Sequence, residues 1–260
     1  MKRVFNLMRV FVITQRRTVL VSLGAIYATL LAIFLLGTLT NSGWGTGLEY
    51  HRVFFSLALY VAGFIATSMS FSGMHRADRS YAYLTLPASH AEKFVEKLLL
   101  TAVLYPLASI ITYVLFSSIL AALSPLLFGE PFAVFNPFTV MMPQAVRGYI
   151  VAGSVFLFGA AYFRSRHFIK TVLSIAGLFV LLGLVVGASG VAAMTDLVES
   201  VEAGVYDETA ATGEQLRMLG RMVSRVGRAV RFLVLWIMPP VMWALTWLKL
   251  RETEVSDAVR

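Results

Sequence analysis

The chain of 260 residues contains no cysteine, which removes disulfides and thiolate metal sites together. Charge is scarce as well. Asp, Glu, Lys and Arg supply 14% of the residues against 58% hydrophobic, a balance that excludes an ordinary water-soluble domain of this length. No G-x-x-x-x-G-K-[ST] loop occurs, so no phosphate-cradling engine of that kind is carried here. Of the four histidines, His51, His75, His90 and His167, none stands in an H-E-x-x-H pattern, and no serine has a Gly-x-Ser-x-Gly setting. Metal-assisted and nucleophilic hydrolysis therefore have no candidate, and the expectation is that the chain is not itself an enzyme.

What is present are long apolar runs: 18–40, 53–71, 98–123, 148–163, 171–194 and 232–248, none containing Asp, Glu, Lys, Arg or His. About 20 such residues cross a hydrocarbon core of roughly 30 Å. The fourth run is short, with Arg147 and Arg164 placed to snorkel from its ends. The expected fold is all-α: one polytopic membrane domain, 1–260, with six transmembrane helices. Fifteen of the 22 Lys and Arg residues fall on one side if the N-terminus is inside, so both termini are expected to be cytoplasmic. Residues 1–17 read as an amphipathic interfacial helix, with Val4, Phe5, Met8, Phe11 and Val12 toward lipid. A disordered basic tail is the alternative.

The absence of ionisable residues inside the runs argues against a proton- or ion-coupled carrier, since such groups cost on the order of 3 kcal/mol at the bilayer centre and are kept for coupling. Polar side chains are nonetheless patterned. Ser56, Tyr60, Gly63, Thr67 and Ser70 share one helical face, and Ser56, Tyr60 and Thr67 are candidates to line a path. Helix-to-helix packing is the competing reading, because small and hydroxyl residues hold membrane helices together. The third run repeats the pattern with Thr101, Tyr105, Ser109 and Thr112. Gly183-x-x-x-Gly187 offers a close approach in the fifth, and Pro239-Pro240 predicts a kink in the sixth, as a hinge or a static bend. Residues 195–231 divide into an acidic half and a basic half. In the latter, Arg217, Arg221, Arg225 and Arg228 follow helical spacing, which suggests an extracytoplasmic helical loop. Those arginines suit an anionic contact or a solvated face paired with the neighbouring acids.

Residues 72–97 are the richest connection. Ser89-x-x-Glu92 is a capping box, so a helix should start near His90 and run into the third span. Arg76, Asp78, Arg79, Tyr81, Tyr83 and Leu84 precede it. Arginines and aromatics on an exposed knob suit a protein contact, and a membrane-surface elbow is the plain alternative.

Leu86-Pro87-Ala88-Ser89 followed by Glu92-Lys93-Phe94, directly after a second span, resembles a recurring pattern in bacterial permease subunits of the ABC-2 (type-2 export) class of ABC transporters. The resemblance implies an inner-membrane exporter subunit acting as a dimer with a second permease chain. Separate ATPase subunits would bind the ATP and Mg, leaving this chain with no cofactor of its own. It implies that residues around Arg76, Asp78, Arg79, Tyr81, Tyr83 and Leu84 form a coupling helix docked on the ATPase. Pro87, Ser89, Glu92 and Lys93 would join that helix to the third span, and the second and fifth spans would line most of the path. Membrane lipids are the remaining expected partner, and nucleic acid is not expected. The rival readings are a non-transport membrane partner that uses the same knob, and an intramembrane enzyme acting on lipid.

Overall fold

A computed structural model describes residues 2–39, 48–71, 89–129, 132–139, 141–163, 165–202, 221 and 224–258. Every regular element among the described residues is helical. Among the described residues, six helices are long and apolar enough to cross a membrane: Arg16–Gly37, Tyr50–Ser68, His90–Leu126, Met141–Tyr162, His167–Leu184 and Ser224–Glu252. We number them spans one to six. The chain forms two compact units, Met1–Phe168 with Pro239–Arg260, and Ile169–Met238.

In the first unit, spans one to four alternate in direction, as consecutive crossings must. Tyr27 of span one bonds Thr112 of span three at 2.6 Å, and Phe34 meets Tyr50 and Phe132 edge-on. Span two runs against span three, with Tyr113 beside Phe55 and Tyr105 beside Leu59. It runs alongside span four, with Tyr60 at Ala145 and Thr67 at Tyr149.

The polarity of span three is inside out. Leu107, Ile111, Leu115 and Ile119, spaced by one turn plus a fraction, are all exposed, while Tyr113, Ser117 and Ser124 on the opposite face are buried. Water would penalise that arrangement and hydrocarbon favours it, because lipid tails satisfy apolar side chains and polar groups seek partners within the bundle.

Two of these spans contain a widened π-helical turn, Ala58–Ala62 in span two and Leu100–Leu104 in span three. Such a turn disturbs the regular ladder of backbone bonds, and the carbonyls it exposes need partners where no water reaches. Tyrosines from neighbouring helices supply them. The Tyr105 hydroxyl points between the carbonyls of Ala58 and Leu59, 3.1 Å from each. The Tyr149 hydroxyl donates to the Thr101 carbonyl at 3.0 Å and receives the Thr67 hydroxyl at 3.2 Å. Both rings lie where a Cβ on Gly63 would stand, and the Tyr60 hydroxyl does the same at Gly148. Glycine is required at both positions for close approach.

Helix ends differ from the apolar runs. The N-terminal segment and span one form a single unbroken helix, Lys2–Leu39, so residues 2–17 are continuous with the span instead of a separate element. Val4 and Met8 are half-buried, whereas Phe5 is exposed. Span four is not short: its helix begins at Met141 and places Arg147 inside it. Spans two and three likewise take in His51, Arg52, Lys93, Glu96 and Lys97. These residues lie where the helices extend past the apolar runs, which themselves contain none. Hydropathy reports where side chains meet apolar surroundings, and the backbone ladder continues beyond that limit.

In the second unit the helix His167–Glu202 continues past residue 194 into the segment read as a loop. Its Leu178, Phe179, Leu181 and Leu182 are exposed, and a Cβ on Gly183 would meet no neighbour. Residues 224–232 are helical and lead into a third π turn, Leu233–Ile237. The helix Met238–Ala258 then carries Pro239 and Pro240 in its first turn. Prolines donate no N–H, and the irregularity expected from them takes the form of that widened turn.

Removing the Tyr149 hydroxyl leaves the Thr101 carbonyl without its tyrosine donor. Tyr149→Phe is expected to destabilise the detergent-solubilised protein by about 1 kcal/mol. The same change at exposed Tyr162 should leave the midpoint of thermal unfolding where it was. Gly63→Val should cost more, about 1–3 kcal/mol, because both tyrosine rings must move.

Candidate functional site

The polar stripe of span two is divided by its surroundings. Thr67 is fully buried in the Tyr149 contact and Ser70 bonds back to the Ala66 carbonyl. These two serve packing. Ser56 and Tyr60, about two to three turns nearer the Tyr50 end than Thr67, border an open cleft of about 450 Å³. Of its lining, Phe55 and Phe135 are buried and Tyr60, Met142 and Ala145 half-buried. Arg52, Asn136 and Gln144 are its exposed polar lining.

The cleft exists because residues 132–139 fold back against spans two and three. Three contacts hold that segment. The Ser117 hydroxyl donates to the Val114 carbonyl and accepts the Phe135 N–H. Asn136 Oδ1 accepts the Phe138 N–H at 2.9 Å, an Asx turn that starts at an Asn-Pro pair. The third is His51, 2% exposed, whose Nε2 lies 2.6 Å from the Ala133 carbonyl and whose Nδ1 lies 3.3 Å from the Tyr113 hydroxyl. A carbonyl only accepts, so in the neutral ring Nε2 carries the proton and Nδ1 accepts from Tyr113. Phe132, Phe135 and Tyr50 surround the imidazole. His51 is a pin between three segments.

At the opposite end of span three the capping box is formed as its spacing predicts. The Ser89 hydroxyl accepts the Glu92 N–H at 3.2 Å, and Glu92 accepts the Ser89 N–H at 2.9 Å. The helix then runs from His90 into the span. Lys93, Glu96 and Lys97 are buried along it, with Lys97 Nζ 3.1 Å from Glu96 Oε1, and this extension packs on the helix Lys2–Leu39. Carboxylate and ammonium together offset part of the desolvation that each would suffer alone.

Arg76, Asp78, Arg79, Tyr81, Tyr83, Leu84 and Pro87 lie outside the described residues, as does Arg217. Arg221, Arg225 and Arg228 are helical and exposed. Arg225 and Arg228 belong to the same helix as span six instead of a separate loop helix. The structure thus brings Ser56 and Tyr60 together at the cleft and Ser89, Glu92 and Lys93 together at the far end. Sequence reasoning overlooked Arg52, Asn136 and Gln144. Asn136-Pro137 between two aromatics was the available turn signal, but the closure onto His51 spans 82 positions. Comparison with protein-family models, curated proteins and solved structures finds no match to this chain.

His51→Phe keeps a ring in the cage and removes both hydrogen bonds. Deuterium uptake across residues 132–139 is expected to rise by roughly three- to tenfold, the equivalent of about 0.5–1.5 kcal/mol in local opening. Unchanged uptake would show that the aromatic contacts alone hold the segment.

Proposed function

We propose that this chain is the membrane-spanning permease subunit of an ATP-driven ABC exporter of the type-2 export class, seated in a bacterial inner membrane with both termini in the cytoplasm. It works as a dimer with a second permease subunit and engages separate ATPase chains, which supply ATP and Mg. The observation that carries the reading is the joint after Leu86-Pro87-Ala88-Ser89. The reciprocal Ser89–Glu92 cap starts a helix that runs through the π turn Leu100–Leu104 into span three. A continuous helix rooted at a cap carries displacement of the preceding segment to that turn, where a flexible linker would absorb it. Burial of Lys93, Glu96 and Lys97 on that helix supports the same role, because it ties the joint to the helix Lys2–Leu39.

On this reading, Arg76, Asp78, Arg79, Tyr81, Tyr83 and Leu84 form the ATPase contact, and Pro87, Ser89, Glu92 and Lys93 connect it to the span. Ser56 and Tyr60 edge the path at its other end, and Thr67 holds the wall. The cargo crosses without a titrating group of the permease driving it.

Purification of the tagged chain from its native membrane in mild detergent is expected to bring a nucleotide-binding subunit with it in about equal amount. Arg79→Glu and Tyr83→Ala should release that subunit while leaving the thermal midpoint of the permease unchanged. A chain that runs alone under these conditions would instead be a non-transport membrane partner.

A further inference from the structure

Span six opens on a basic stretch to which the exporter reading gives no task. Arg225, Arg228 and Arg231 are helical and exposed, and at about 100° per residue they fall within about 120° of one another around the helix. Among the described residues, none of the three guanidinium groups enters an ion pair or a hydrogen bond. Their charge is uncompensated within the chain as described. Val226 and Val230 occupy the opposite side of the same turns and are also exposed. After Arg231 no charged residue follows until Lys249, and Phe232, Leu233 and Trp236 are exposed apolar side chains.

The spacing sets the depth of the arginines in a bilayer. At about 1.5 Å per residue, Arg231, Arg228 and Arg225 stand about 1.5, 6 and 10 Å above the first residue of that apolar run. The polar layer on each side of the hydrocarbon is about 5–8 Å deep. Arg231 and Arg228 therefore lie at the level of the lipid phosphates, and the long side chain of Arg225 reaches them from the outer edge. Trp236, about a turn further in, is the residue type that marks this boundary. Charge and exposed apolar surface meet here at one level of the helix. A free anion matches the charge alone, whereas an anionic amphiphile matches both.

We propose that Arg225, Arg228 and Arg231 bind the phosphates of anionic phospholipids at the membrane surface where span six begins, and hold those lipids in preference to zwitterionic ones. The site rests neither on the exporter reading nor on which side of the membrane this surface faces. Lipid preference and ATPase capture are separate measurements, and either can fail without the other.

Because the chain has no cysteine, Ala229→Cys places a single fluorophore on the turn between Arg225 and Phe232. The labelled full chain is reconstituted in phosphatidylcholine vesicles at physiological salt. Each vesicle preparation carries the same small fraction of either phosphatidylglycerol or phosphatidylcholine with a nitroxide near the top of its acyl chain. Quenching by the phosphatidylglycerol probe is expected to exceed that by the phosphatidylcholine probe at least about fivefold, the effect of one surface arginine. Replacing all three arginines by Gln should bring the ratio to about one, and replacing them by Lys should preserve it, since charge sets the preference. Raising the salt to 0.5 M should lower the wild-type ratio, because exposed charges are screened; this measurement stands even if the Gln variant fails to fold. Equal quenching in the wild-type chain would return the arginines to water or to the acidic residues of 196–214, and overturn the proposal. A ratio that survives the Gln substitutions would overturn it too, as would a ratio abolished by one millimolar inorganic phosphate, which would mark a free-anion site.

Discussion

In a bundle whose outer surface faces hydrocarbon, a backbone carbonyl that loses its helical partner finds no water to replace it. The packing of spans two, three and four is arranged around that constraint. The π turns Ala58–Ala62 and Leu100–Leu104 are each met by a tyrosine hydroxyl from an adjacent helix. A tyrosine can reach across only if the facing helix leaves room for its ring, and Gly63 is the position that does so for both. Two tyrosines, two widened turns and a glycine between them therefore form one dependency. Substitution of either partner disturbs more than its own contact, and effects at Gly63, Tyr105 and Tyr149 should not add as independent terms.

The same physics explains what could be read from the sequence. Six apolar runs announced six helices because crossing a bilayer demands some 20 uninterrupted apolar residues, and little else in a protein does. The Ser89–Glu92 cap was legible because both partners lie within one turn. Helix limits were not. Lys93, Glu96, Lys97 and Arg147 ended the apolar runs but not the helices, since hydropathy follows the surroundings of side chains and the backbone follows its hydrogen bonds. The stripe Ser56, Tyr60, Gly63, Thr67 and Ser70 is read from a regular helical spacing, whereas the π turn Ala58–Ala62 falls inside it and Ser70 lies in the turn beyond the helix; nor could the choice between packing and lining be made there. It depends on which neighbours stand opposite: Thr67 meets Tyr149, and Ser56 meets open space. His51 looked like a histidine at a membrane edge, and its enclosure by Tyr113, Phe132 and Ala133 comes from residues 62 to 82 positions away. No local pattern encodes such closures, and the π turns carry no distinctive composition at all.

Spans two and three carry features at both ends. At one end, the folded-back segment 132–139 shapes a cleft through His51 and Ser117; at the other, the capped helix from His90 buries three charged residues. The π turn of span three lies between them, bonded by Tyr149, and that of span two, bonded by Tyr105, carries Tyr60 at the cleft. A uniform α-helix is stiff along its length, and a displacement applied at Ser89 would be carried through it largely unchanged. A π turn is a place where register can shift by one residue at modest cost, because the ladder is already interrupted there. Its carbonyls are bonded here to side chains that can follow such a shift by small ring movements. On the exporter reading, this places an adjustable turn of span three between the ATPase joint and the cleft, and a second one at the cleft. Motion at the joint would then be expressed as re-pairing of tyrosines with carbonyls. That exchange keeps every backbone group satisfied, and so avoids the penalty that would otherwise forbid a helix to rearrange inside a membrane.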